Sequence, residues 1–265
     1  MSERGTYVYC IVAAARVPPL TRVPKGLPGA GPVRWLVVEP GLFLAVADAP
    51  LDRYGEAAIH RGLSDLQWVS RVAVAHEAVV EAFTSADAVL PMKLFTIFTA
   101  DARVIAHVRG ERRRIAAAVK RVARHQEWSA RMVLLRPRAA AANAPAKKAP
   151  AAKAAASRTA SPSGVAYLSR KKSDRDAAGE RARRARETVA ELYDRLAARS
   201  RRAKQRPGGE AAQGGSLLLD AAFLVPRSRA TSFGALALRE ARRLERLGYG
   251  LTVSGPWPPY TFVQD

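Results

Sequence analysis

Hydrophobic positions follow two rhythms along this chain, and the changes of rhythm mark its elements. The nearly unbroken apolar run Thr6–Ala14 is rich in β-formers and reads as a buried strand. Arg16–Pro32, with five prolines and three glycines, reads as a loop. Val33–Val38 and Leu42–Ala47 flank Glu39-Pro40-Gly41 and predict a hairpin. The rhythm then turns helical. Ser64 and Gln67 have capping-box spacing ahead of Leu66, Val69, Val72, Ala73, His76, Val79, Val80 and Phe83, an apolar stripe at helical spacing. Val89–Phe98 predicts a strand in which Pro91 implies an edge or a kink. Asp101–Glu127 predicts a second helix, with Val104, Ile105, Val108, Ile115, Val119 and Val122 inward and a basic outer surface.

Ser129–Leu135 predicts another strand, after which the pattern lapses until a long basic helix at Ser173–Lys204. Its seam, Ala178, Ala182, Ala185, Val189, Leu192 and Leu196, alternates steps of four and three. The seam is narrow, so this helix is expected on a sheet or a single neighbour, with its arginines solvated. Glu180 with Arg184 and Glu191 with Arg195 form i,i+4 pairs in the favourable orientation. Gly208–Gly215 reads as a loop, Ser216–Val225 as a buried strand ended by Pro226, and Phe233–Leu247 as a helix. In that helix Phe233, Leu236, Ala237, Leu244 and Leu247 point inward, and Gly248 stands where the chain must accept positive φ. Tyr249–Ser254 is the last strand. From Glu127 onward the order strand, long helix, strand, helix, strand predicts an α+β unit close to a ferredoxin-like arrangement.

Composition changes this picture in two places. The formal charge of +21 on 265 residues resembles a nucleic-acid signal, yet much of it lies in Ala139–Arg206. Within that stretch, Ala139–Ser163 is almost wholly Ala, Pro, Lys and Ser and reads as a disordered insertion. It is similar to the tails of DNA-compacting proteins, but a solubilising insertion between a strand and a helix is the favoured reading. The single cysteine, Cys10, excludes an intramolecular disulfide framework and fits a reducing cytosol. No apolar run reaches membrane-spanning length, and the residues ahead of Tyr7 carry no net positive charge of the kind an export signal has.

Candidate chemistry is sparse. His60, His76, His107 and His125 have no metal-ligand spacing, so no metal or cofactor is expected. No nucleophile elbow, Walker motif or dinucleotide fingerprint occurs. His76 shares the apolar stripe, where a hydrogen-bonded core histidine is the expectation. Its neighbour Glu77 points about 100° away around the helix axis and forms no dyad with it. A small-molecule enzyme would require a deep polar pocket around His76.

The chain's most individual stretch is Ser254–Phe262, with three prolines and three aromatics. Proline fixes φ and lacks an N–H, which predicts a stiff, extended arm presenting Trp257, Tyr260 and Phe262 to the chain's own core or to a partner. The sequence Leu251-Thr252-Val253-Ser254-Gly255-Pro256-Trp257-Pro258-Pro259-Tyr260-Thr261-Phe262-Val263 resembles the terminal signature of the gas vesicle GvpL/GvpF family. Leu218–Val225, Ala166-Tyr167-Leu168, Trp68-Val69, His76–Glu81 and Val89–Lys93 are similar to further family segments. One departure follows directly: this chain has Leu94-Phe95-Thr96 where the family has Phe-Gly-Thr, losing a glycine that permits close backbone approach.

The resemblance implies an α+β protein of two domains, 1–125 and 126–265. The second would be a modified ferredoxin-like fold with a long helix, interrupted by the insertion 139–163. It also implies a non-enzymatic, cytosolic gas vesicle accessory or minor structural protein whose partners are the shell protein GvpA and other accessory Gvp proteins. The residues expected as structural or partner-contact anchors are Trp257, Tyr260 and Phe262, together with Arg183, Arg184 and Arg186 on the long helix. The competing expectation is a nucleic-acid-binding protein acting through the basic insertion and the arginine-rich helix.

Overall fold

A computed structural model describes residues 3–135, 164–207 and 216–263, with side chains from 169 onward in the second of these stretches. The predicted insertion at Ala139–Ser163 and the loop at Gly208–Gly215 lie outside the described residues.

The first sheet is built from β1 (Arg4–Ala13), β2 (Arg34–Glu39) and β3 (Leu42–Pro50). Two short helices, α1 (Leu51–Tyr54) and α2 (Glu56–Gly62), lead into α3 (Leu66–Glu81). Then come β4 (Ala88–Pro91), β5 (Ile97–Phe98), α4 (Asp101–Gly110) and α5 (Arg112–Val122). The strands run in the order β2-β3-β1-β4, all antiparallel, and β5 also pairs with β1. The expected single strand Val89–Phe98 is therefore two. Pro91 ends β4 at the sheet edge, where a missing N–H costs no ladder bond.

The second sheet contains β6 (His125–Leu134), α6 (Gly164–Ala197), β7 (Arg202–Gln205) and β8 (Leu217–Pro226). It is completed by α7 (Ala230–Glu245), β9 (Tyr249–Trp257) and the four-residue α8 (Tyr260–Val263). Its antiparallel order is β7-β8-β6-β9.

Both central strands have two buried faces, which accounts for their apolar runs. Tyr7 and Tyr9 of β1 pack with Val72, Val79, Val80 and Phe83 against α3. Val8 and Ile11 face the other way and join Leu44, Val46, Val104, Ala118 and Val122. In β8, Phe223 and Val225 lie beneath α6 and α7 with Leu192, Leu196, Phe233 and Leu244. Ala222 and Leu224 on its opposite face enter the same cluster as Val8 and Ile11. One continuous apolar layer thus joins the two sheets.

Several boundaries differ from expectation. The cap of α3 is Asp65, which accepts hydrogen bonds from the N–H groups of Gln67 and Trp68, while the Ser64 hydroxyl donates to the Arg61 carbonyl. Leu66, expected inward, sits in the first turn and is 81% exposed. The expected helix Asp101–Glu127 is broken at Gly110–Glu111 and stops at Val122. Arg124 takes a φ of 59°, turning the chain into β6, so Glu127 is a strand residue. The long helix starts earlier than Ser173 and ends at Ala197, leaving Arg202–Gln205 to form edge strand β7. Leu247, past the end of α7, is exposed rather than inward. Gly248 does adopt positive φ, at 82°.

Phe95 has a φ of 65°, a left-handed conformation more natural to glycine. Its ring stacks on Trp68 with centroids 5.4 Å apart and planes 6° apart. The strained backbone at Phe95 is accompanied by this aromatic contact.

Candidate functional site

The C-terminal segment is no extended arm. β9 runs on through Gly255 and Pro256 to Trp257, which pairs with Glu127 of β6. Pro258 and Pro259 are buried, and the chain then closes into α8. Proline directly ahead of a helical turn sacrifices no intrahelical hydrogen bond.

Gly255 makes this course possible. Its φ is 131°, and a Cβ at this position would lie 2.9 Å from the Glu127 carbonyl oxygen and 3.2 Å from the Trp128 ring. Gly255→Ala is expected to cost about 1–3 kcal/mol from backbone strain, and more if the strand must separate. Urea denaturation would measure it, and a midpoint equal to wild type would refute the account.

α8 is fastened to three separate elements. The Thr261 N–H and hydroxyl donate to the two carboxylate oxygens of Glu127 at 2.8 and 2.6 Å. The Tyr260 hydroxyl donates to Glu77 of α3 at 2.5 Å. Arg121 of α5 donates to the Phe262 carbonyl at 2.9 Å. The Phe262 ring is 1% exposed and completes the layer between the sheets. Burial raises the carboxyl pKa of both Glu77 and Glu127. Hydrogen bonds from Tyr260 and Thr261 respectively pull the other way. Neither glutamate was identifiable as an anchor from sequence: Glu77 adjoins the more conspicuous His76, and Glu127 was assigned to a helix end.

The expected anchors therefore separate. Phe262 is a core residue, Tyr260 is a half-buried clasp, and Trp257 remains 39% exposed. Arg183, Arg184 and Arg186 are all exposed on α6, but they are not equivalent. Arg183 pairs with Glu180 and Glu187, and Arg184 pairs with Glu180. Arg186 has no carboxylate partner among the described residues. The seam of α6 also divides. Leu192 and Leu196 are fully buried, and Ala185 and Val189 partly so. Ala178 and Ala182 are exposed, as is every residue from Ser169 to Arg184. Glu240, buried on α7, receives Arg195 at 3.1 Å and Arg243 at 2.8 Å, fixing the inner half of α6.

His76 is 3% exposed, and its Nδ1 is 2.7 Å from the Tyr7 hydroxyl. Its ring centroid lies within 6 Å of those of Tyr7 and Tyr9. Burial pushes its pKa down to about 4, so the ring is neutral. A neutral imidazole among tyrosine rings packs as a core group. Burial likewise pushes the Cys10 thiol far up, which keeps it unreactive. No helix among the described residues is long and apolar enough to cross a membrane.

The fold, the terminal clasp and the solvated long helix describe an α+β protein of two antiparallel sheets, and comparison with known proteins gives its family. Residues 5–264 match the family described as gas vesicle synthesis protein GvpL/GvpF, and the chain belongs to that family. Among particular relatives, it is 29% identical over 270 residues to Gas vesicle protein L of Streptomyces sp. (strain CB03234), covering 99% of this chain and 94% of that protein. The fold is shared with crystal structures of GvpF. The Anabaena sp. PCC7120 protein superposes with a TM-score of 0.67 at 14% identity, over 99% of this chain and 97% of that one. The Microcystis aeruginosa protein gives 0.65 at 14% identity, over 98% and 99%. Membership supports a role among gas vesicle proteins, in association with the vesicle and with other proteins of that system.

Proposed function

We propose that this chain is a cytosolic, non-enzymatic accessory or minor structural protein that binds gas vesicle shell subunits and supports vesicle assembly. The family match across residues 5–264 is the observation that carries this reading. Its partners are the shell protein GvpA and other accessory Gvp proteins. The mechanism is coverage of apolar subunit surface before or during polymerisation, since subunits with large exposed apolar patches aggregate otherwise. We place the domain boundary at residues 125–126 and read the second domain as modified ferredoxin-like. The order β-α-β-β-α-β with strands arranged β7-β8-β6-β9 supports that reading.

Co-expression with the shell and accessory proteins followed by pull-down tests the function. Association is expected. Absence of any association, together with normal vesicles after gene deletion, would overturn it. Trp257→Ala adds a residue-level prediction. Because this ring is substantially exposed, the variant should remain folded, losing no more than about 1 kcal/mol, while partner capture falls. Loss of the fold would instead make Trp257 a structural residue.

A second reading, nucleic-acid binding, draws on the charge of +21 and the basic α6. It predicts salt-dependent, submicromolar DNA binding that weakens when residues 139–163 are deleted.

A further inference from the structure

The second sheet ends in two unlike edges. β7, on one side, is four residues long and carries Arg202 and Lys204, the short, charged form that keeps an edge strand from pairing. β9, on the other, offers Tyr249-Gly250-Leu251-Thr252-Val253 with neither charge nor proline. Pro256 interrupts it only further on, and Trp257, 39% exposed, closes the same strand.

The register of β6 and β9 fixes which backbone groups are spare. The Leu134 N–H turns away from β9 to the Ser216 carbonyl, whereas the Leu135 N–H donates to the Gly248 carbonyl. Ser129, Arg131 and Val133 therefore exchange hydrogen bonds with Ser254, Thr252 and Gly250. Tyr249, Leu251 and Val253 turn their N–H and C=O groups to the open side, where no described residue meets them. The side chains of Leu251 and Val253 pack toward α7 and line a groove with Gly234, Ala237, Leu238 and Ala241. Small residues on α7 give the groove depth, and Leu238, 65% exposed, forms its lip. Trp128 in the same wall has a buried indole N–H without an acceptor among the described residues.

We infer that the β9 edge takes an extended segment of another gas vesicle protein as an added strand. Its apolar side chains enter the groove, and acidic ones alternate with them on the opposite face. The spare backbone groups specify an extended chain, because a helix has already spent its own on itself. The groove specifies apolar residues at every second position. Charge specifies the rest. On the face away from α7, Arg131 and Arg206 share the single carboxylate of Asp220, and Arg131 stands opposite the exposed Thr252. Beside the groove, Arg242 and Arg246 are exposed one and two turns beyond Leu238, with Glu245 the acid next to them. Neither arginine has a carboxylate partner among the described residues. Both margins of the edge therefore carry surplus positive charge, which favours an acidic partner. A second copy fits less well, since it would set these arginines, on chains of formal charge +21, against their own kind. The inference rests on the protein-binding function proposed above and names the chemistry of the partner.

The test uses the full chain, with short synthetic peptides alternating valine with glutamate or valine with lysine as probes. The Val–Glu peptide should bind more tightly and slow hydrogen exchange at the Leu251 and Val253 amides, which it covers. General attraction to a basic chain would also favour the acidic peptide, but it would leave those two amides unprotected. Leu238→Glu, which alters an exposed side chain, should weaken Val–Glu binding about tenfold by charging the lip. Val253→Pro removes one outward N–H without breaking a bond to β6, and should weaken binding as well. No binding, or equal binding of the two peptides, would overturn the inference. So would binding without protection of both amides, or a chain that dimerises through this edge and excludes the peptide.

The pull-down separates this inference from the broader function. If the wild type captures a shell or accessory protein, Leu238→Glu should lose most of that capture. Unchanged capture would overturn the inference while leaving the function standing. If the wild type captures nothing, the function fails and the peptide result alone decides the inference.

Discussion

Phe262→Ala should destabilise the protein by about 3–5 kcal/mol, a large fraction of the stability of an ordinary domain. The ring is 1% exposed and packs with residues of both sheets, so truncation removes apolar burial and opens a cavity where they meet. It also releases the far end of α8. Once that turn is loose, the hydrogen bonds to Glu127, Glu77 and Arg121 lose their geometry together. Urea denaturation should show a single lowered midpoint reported from both sheets. Phe262→Leu should recover more than half of the loss by refilling the cavity. A shift below about 1 kcal/mol for the alanine variant would mean that the ring is not a core element.

The second large effect is acid destabilisation through His76. The imidazole titrates near 6.5 in an unfolded chain and at about 4 in the folded one. A depressed pKa contributes stability above the unfolded value and loses it as pH falls through the folded one. Between pH 7 and 4 the loss is about 3 kcal/mol. His125 is shifted in the same direction by burial and adds to the trend. Glu77 and Glu127 oppose it, since carboxyl groups with raised pKa values stabilise the fold as they take up protons. Comparing wild type with His76→Gln isolates the histidine. The stability difference between them should shrink or reverse by about 3 kcal/mol across that range, measured by denaturation at each pH. A pH-independent difference would refute the assignment of His76 as a neutral core group.

Sequence made the central strands and α3 legible because their signals are local. The apolar run at Thr6–Ala14 and the stripe ending at Phe83 need no knowledge of what covers them. The terminal signature was legible as a family mark, since three prolines among three aromatics rarely arise otherwise. What failed depended on distant partners. Val104–Val122 keeps helical spacing up to a boundary set by the positive φ of Arg124, a backbone state with no side-chain signature. The seam of α6 has one period throughout, yet periodicity cannot say that Leu192 meets a sheet while Ala178 meets solvent. Tyr260 and Phe262 read as part of a stiff arm, docked on the core or on a partner, because proline forbids continued helix. It does not forbid a new turn beginning just after it. The carboxylates that hold that turn come from residues 183 and 134 positions away.

Those separations bear on the order in which the molecule can be made. At roughly 5–20 residues per second, a ribosome needs about ten to forty seconds to proceed from Glu77 to Tyr260. For most of that interval Val8, Ile11, Leu44 and Val46 lack Leu224, and for all of it they lack Phe262, the side chains that later cover them. The first half of the protein therefore emerges as an unfinished, adhesive surface. Its completion is a late event timed by the arrival of β9 and α8.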